Sequence, residues 1–420
     1  MAAAASGSAL ARTVAAEPDE FAAAYWGRRP LLSRAADLGG PGGFTDLLSP
    51  AAVDELLSRR GLRTPFLRVA RQGRMLPAAR YTGGGGAGAE VADQVLDERV
   101  MRLYADGATV VLQGLHRLWP PLIEFTGRLG AELRRPLQVN AYLTPPSSQG
   151  FATHYDTHDV FVLQVDGAKR WCVHPPVLPD PVERQPWGGH ADEVAATAEG
   201  EPALDVVLRP GDALYLPRGW LHSARTEGGR SLHLTVGIRG LTRYDLVEEL
   251  MAEAMGEARL RATLPYGFDV ADPDAVAAEL TATVDALRSW LLTAGPAPIT
   301  ARLRDRAWPS ARPAPLAPLA QLDFADALTP AAEVVVRGGL RWALDPAGDR
   351  VTLRLTGRFL DLPAECEPAL RTVLDGARHR VGDLPLATDA DRLVLVRRLL
   401  TEGVLVPAAG RTGRTGEGPG

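Results

Sequence analysis

Between residues 109 and 238 the chain breaks into short runs rich in Val, Leu, Phe and Trp: TVVLQGL, LQVNAYLTPP, DVFVLQVDGAKRWCVHPP, DVVLRPGDALYLPRGWLHSA and SLHLTVGI. Glycine and proline turns separate them. Strands this short at such close intervals predict a mainly β core, an antiparallel barrel or jelly roll, since winding the sheet back on itself hides its edges. The flanks have another period. PAAVDELLSRRG (50 to 61) carries helical spacing that stops at Gly61, and 241 to 295 repeats apolar residues three and four apart, predicting two or three helices.

At 420 residues the chain exceeds one ordinary core, so two to three units are expected. We read residues 1 to 20 as a disordered tail, 21 to 240 as the main β domain with the lead-in FAAAYWGRRPLL, and 241 to 325 as a helical region ending in an extended proline-rich linker. Residues 326 to 407 suit a small winged-helix-like α+β domain, and 408 to 420 form a second tail. The run GGGGAGAE (83 to 90) reads as a flexible loop.

With 46% hydrophobic residues, 23% charged and a net charge of -5, the composition is that of a soluble globular protein. No segment offers about 18 uninterrupted apolar residues, so no membrane span is expected. Two cysteines, Cys172 and Cys366, are too few for a disulfide framework and fit a reducing cytoplasm. Residues 330 to 407 hold 11 Arg against 11 Asp plus Glu, which argues against a phosphate-binding footprint and direct nucleic-acid contact.

His154 and Asp156 are two apart, so on an extended segment both side chains leave one face and can meet one ion. His222, after the turn in RPGDALYLPRGWLHS, is the best third ligand. Two imidazoles and one carboxylate leave coordination positions open, the arrangement that suits non-haem Fe(II) and O2 chemistry. Lys169 is the only lysine beside 45 arginines. Asp166-Gly167 predicts a two-residue hairpin in which Gln164 faces Lys169, and parity then turns the ammonium to the side of His154 and Asp156. That side is otherwise apolar, through Val160, Val162, Trp171 and Val173, so the charge needs an anion, and a ligand carboxylate is expected.

The run VNAYLTPPSSQGFATHYDTHDVFVLQVDGAKRW, with RPGDALYLPRGWLH after it, resembles the JmjC-domain ribosomal oxygenases, cupin-fold (double-stranded β-helix) protein hydroxylases. The lead-in and the order of domains are similar too. The resemblance implies Fe(II) held by His154, Asp156 and His222, the cosubstrate 2-oxoglutarate with its distal carboxylate on Lys169, and O2 as oxidant. It places Asn140, Tyr142, His233 and Thr235 in the cosubstrate pocket. It also implies a protein substrate, a ribosomal protein first, and a homodimer formed through the helical region. The same chemistry on a small molecule, or a silent cupin scaffold, stays open. His158 and the segment 177 to 204 depart from the family pattern and surround the expected target groove.

Other residues have plainer readings. His158 caps a turn or faces solvent, and His174 is structural. Trp119, Trp187 and Trp220 are core, and Cys172 is a small buried hydrophobe.

Overall fold

The computed structural model describes residues 7–38, 43–88, 90–146, 148 and 152–408. Two compact units, Met1–Gly240 and Leu241–Gly420, meet where strand periodicity gives way to helical periodicity.

Nine antiparallel strands of the first unit join one sheet. They are β1 (Leu31–Ser33), β2 (Leu67–Arg71), β3 (Arg74–Met75), β4 (Thr109–Leu112), β5 (Leu137–Thr144), β6 (Asp159–His174), β7 (Leu204–Leu208), β8 (Ala213–Leu216) and β9 (Leu221–Ile238). Their order is β1-β8-β6-β9-β5-β4-β2-β3, with β7 beside β6.

Only β6 and β9 are long, at 16 and 18 residues, and they pair through both of their halves. This corrects the predicted hairpin. The chain does not reverse at Asp166-Gly167; it continues, and the register shifts between Thr226 and Ser231 and between Leu232 and His233. Gly167 has φ +64°, and a Cβ on it would fall 1.8 Å from the Arg230 carbonyl oxygen. A left-handed glycine serves a tight turn and a bulge equally well, so the choice falls to the partner strand. Here β9 is long enough to pair on both sides of it.

The two halves of β6 enclose one apolar cluster, in which Val160 and Val162 meet Trp171 and Val173 together with Leu208, Leu214 and Leu216. The alternate residues Phe161, Leu163 and Val165 enter the larger core with Phe21 and with Leu122, Phe125 and Leu129 of α1 (Pro120–Leu133). Trp26 stacks on Tyr215 with ring centroids 6.1 Å apart, which orders the lead-in.

Residues 7–20 correct the expectation of a tail. Ala9, Leu10 and Val14 are buried, and the Ser8 hydroxyl and the Ala9 and Leu10 amides donate to the Glu132 carboxylate at 2.8, 2.7 and 2.9 Å. Residues 1–6 and 409–420, where tails are expected, lie outside the described residues, as does Ala89 within the glycine-rich run. Elsewhere in that run Gly83 pairs with Gln94.

The second unit opens with helices Arg243–Ala254, Pro273–Leu291, Pro296–Ala307 and Pro318–Asp326. The last two occupy the stretch expected as an extended linker. Prolines stand in the first turn of each, where the missing N–H costs nothing and the fixed φ suits a helix start. Residues beyond form two three-stranded antiparallel sheets and two further helices around Leu370, Val373, Val396 and Leu399, a mixed α+β arrangement.

Candidate metal centre

His154 and Asp156 precede β6, and His222 is the second residue of β9. Reciprocal backbone bonds clamp the histidines together: the His154 amide donates to the His222 carbonyl at 3.2 Å and the His222 amide returns one at 2.8 Å. The Gly219 amide donates to the Asp156 carbonyl at 3.0 Å. As a result one ligand atom from each of the three residues lies within 4.8 Å of the others, and His222 Nε2 is 3.9 Å from Asp156 Oδ2.

Each histidine turns Nδ1 to the carbonyl two residues earlier, His154 to Ala152 at 2.8 Å and His222 to Trp220 at 3.1 Å. With the proton held there, each Nε2 carries the lone pair that a shared cation would take, the outer contact fixing the tautomer of each ligand. Burial, aided by the neighbouring His154, pushes His222 down to about 4, so its imidazole is neutral at pH 7. Among the described residues no cysteine and no second acid joins the cluster. Two nitrogens and one carboxylate suit a divalent metal with open positions, and they fit Fe(II) better than a closed structural zinc.

Lys169 sits deeper on the inner face, only 3% exposed. The bulge shifts parity by one, so even positions of β6 before it and odd positions after it share a face. The sequence therefore placed the ammonium inward by way of the wrong turn. Nζ donates to Thr144 Oγ1 at 3.2 Å, and no carboxylate of the described residues pairs with it. Burial pushes it down to about 7.

Between lysine and triad runs an aromatic wall. Trp171 lies 6.0 Å from the His222 ring and 5.5 Å from the His233 ring, and Tyr142 stacks on His233 at 5.0 Å. Burial, with the Asp156 charge second, pushes the Tyr142 hydroxyl up to about 12, so it stays protonated. Asn140 hydrogen-bonds Tyr142 and accepts from the Gly114 amide at 3.2 Å. Thr235 faces Asn140 across β9 and β5. Buried Trp171 Nε1 and His233 Nδ1 have no protein partner among the described residues. Thr144 was missed, although Gln138, Asn140, Tyr142 and Thr144 form a polar row of period two that is legible in β5.

Three plainer readings change. Trp187 is not core: it is 39% exposed with its ring 6.4 Å from that of His154. Cys172 is half-buried, with its thiol 3.7 Å from Asp205. His158 caps no turn among the described residues; of its two readings the solvent-facing one is met in part, the ring being half-buried beside Gln138.

Residues 126–246 match the JmjC domain family. The chain is 33% identical over 281 residues to ribosomal oxygenase 1 of Gallus gallus, covering 64% of this chain and 44% of that one. It is 31% identical over 243 residues to the bifunctional lysine-specific demethylase and histidyl-hydroxylase NO66 of Aedes aegypti, covering 57% and 36%. The chain thus spans less than half the length of these relatives. In fold it is similar to the ribosomal oxygenase YcfD of Escherichia coli, with a TM-score of 0.52, 18% identity and coverage of 94% of this chain and 98% of that one. Another YcfD structure, with a TM-score of 0.51, 18% identity and coverage of 94% and 99%, is a complex with cobalt and 2-oxoglutarate. The chain thus carries a JmjC domain at residues 126–246, is similar in sequence to the ribosomal oxygenases named above, and shares the fold of YcfD.

Proposed function

We propose that this protein is an Fe(II)- and 2-oxoglutarate-dependent dioxygenase that hydroxylates a side chain of a protein, with a ribosomal protein as the target. The observation that carries the reading is a buried ammonium with no carboxylate partner among the described residues, on the same inner face as a three-ligand cluster. A dianion that bridges metal and lysine answers both. The names of the relatives and the cobalt and 2-oxoglutarate complex of YcfD support it.

When bound, metal and cosubstrate activate O2 and deliver hydroxyl to the target. The chain's own residues do the rest. His154, Asp156 and His222 hold the cation through two fixed lone pairs and a carboxylate. Lys169, steadied by Thr144, pairs with the distal carboxylate, and a compact ammonium suits so narrow a place. Tyr142, Asn140, His233 and Thr235 offer hydrogen bonds along the cosubstrate, while Trp171 and Val162 exclude water.

The helices after residue 240 support a homodimer. Leu246, Val247, Met251, Leu280 and Val284 on them are exposed apolar side chains in a single copy. Among the described residues no helix is long and apolar enough to cross a membrane. A cytoplasmic site and no direct nucleic-acid binding belong to the same proposal, supported by the free thiols and the charge balance of the last block.

Purified protein given Fe(II), 2-oxoglutarate and ribosomal proteins from cells lacking this gene should release succinate and add one oxygen atom to one protein. Succinate without any protein product would favour a small-molecule target, and no succinate would refute the enzyme.

A further inference from the structure

Gly237 ends the inward row of β9, opposite Gln138 of β5 and Val160 of β6. A Cβ on Gly237 would fall 2.8 Å from Nε2 of His158, 2.9 Å from its Cδ2 and 2.9 Å from Cγ of Gln138. The His158 ring thus occupies the space in which any larger residue at 237 would put its side chain. The Gln138 carboxamide meets Nε2 of the same ring at 3.4 Å and orients it.

His158 stands two residues beyond Asp156, yet it is not part of the ligand cluster. It is half-buried, and its ring lies over Gly237 on the inward row of β9 that also carries His233 and Thr235. Its other ring nitrogen has no protein partner among the described residues and is not sealed from solvent. A half-buried ring held in one orientation by a neighbour, with one nitrogen left open, is arranged for a ligand to complete.

We propose that His158, seated on Gly237 and oriented by Gln138, is a specificity-determining residue: its open ring nitrogen hydrogen-bonds a nitrogen- or oxygen-bearing group of the target side chain. This rests on the oxygenase reading above. An aliphatic target would leave that nitrogen unpaired and would be disfavoured, and the hydrogen bond fixes which carbon faces the metal.

The test uses the full chain, Fe(II), 2-oxoglutarate and ribosomal proteins extracted from cells lacking this gene. In H158A the rate constant for oxygenating the target should fall about tenfold, the worth of one hydrogen bond in a partly closed site. The KM for 2-oxoglutarate should move less than about twofold, a split that a general loss of structure would not give. G237A should show the same loss, because its Cβ expels the ring. The double variant should lose little beyond H158A, since the ring is already gone and only the Gln138 Cγ must yield to the Cβ. H158N, which keeps a hydrogen-bonding group, should recover part of the rate and stands in should H158A fail to fold. Unchanged target oxygenation in H158A, or losses that multiply in the double variant, would overturn the proposal. A wild type that releases no succinate would instead remove the oxygenase reading beneath it.

Discussion

Replacing Lys169 with methionine separates what this side chain costs the fold from what it does for a ligand. Methionine keeps the length and fills the space without charge. In the wild type, burial brings the ammonium from its ordinary 10.5 down to about 7. At about 1.4 kcal/mol per pKa unit, holding the lysine inside therefore costs on the order of 4 kcal/mol at neutral pH. K169M removes that cost but leaves the Thr144 hydroxyl without its donor, worth about 1 to 2 kcal/mol in return. The net expectation is a variant more stable by about 2 kcal/mol, which raises the unfolding midpoint by roughly 4 to 8 °C for a unit of this size. With 2-oxoglutarate the sign reverses. A carboxylate buried without its cation costs about 2 to 5 kcal/mol, so binding should weaken by roughly 30-fold to several thousandfold. Thermal unfolding of the Mn(II)-loaded protein with and without 2-oxoglutarate, backed by titration calorimetry, reads both effects. A lower midpoint in unliganded K169M, or a 2-oxoglutarate-induced shift as large as in the wild type, would refute the assignment.

The same lysine sets a pH dependence. Unliganded, it releases its proton near 7, whereas the dianion needs it charged, so affinity should be level below pH 7 and fall by up to about tenfold per pH unit above it, with proton uptake on binding. A flat affinity at alkaline pH would contradict this. Because the unfolded chain stays protonated up to about 10.5, the stability penalty is full below pH 7 and is relieved as pH rises through that window. Gly167→Ala must move the Arg230 carbonyl as well as strain a left-handed residue, and chemical denaturation should show a loss of about 2 to 4 kcal/mol. Glu132→Ala leaves the Ala9 and Leu10 amides without their acceptor; limited proteolysis should cut between residues 7 and 16 faster, with the midpoint of the β unit nearly unchanged. Asp156→Ala should weaken Mn(II) binding, followed by electron paramagnetic resonance, by at least about a hundredfold, and unchanged affinity would dismiss the triad.

Several features were legible because they depend on short-range alternation. The period-two spacing of His154 and Asp156 places two ligands on one face whatever surrounds them, and a lone lysine among apolar neighbours signals an anionic guest. The strand-to-helix change at residue 240 needs only the switch of hydrophobic period. Other features depend on partners far along the chain. The segment 7–16 has no strong pattern of its own; it is ordered by Glu132, more than a hundred residues away. Trp187 opens a short 3-10 turn, and its proximity to His154, rather than any periodicity of its own, puts its ring at the site.

The residue types alone settled the chemistry on offer: two imidazoles, one carboxylate and a single ammonium, on strands whose alternation turns them to a common side. Tertiary structure decided the path by which they meet. Gly167 permits both a reversal and a bulge, and the free energies of these lie too close for local sequence to choose between them. The length of β9, which supplies hydrogen-bond partners on both sides of the glycine, kept β6 running straight through. It also fixed Gly237 beneath His158, a contact between residues 79 positions apart that no local pattern encodes.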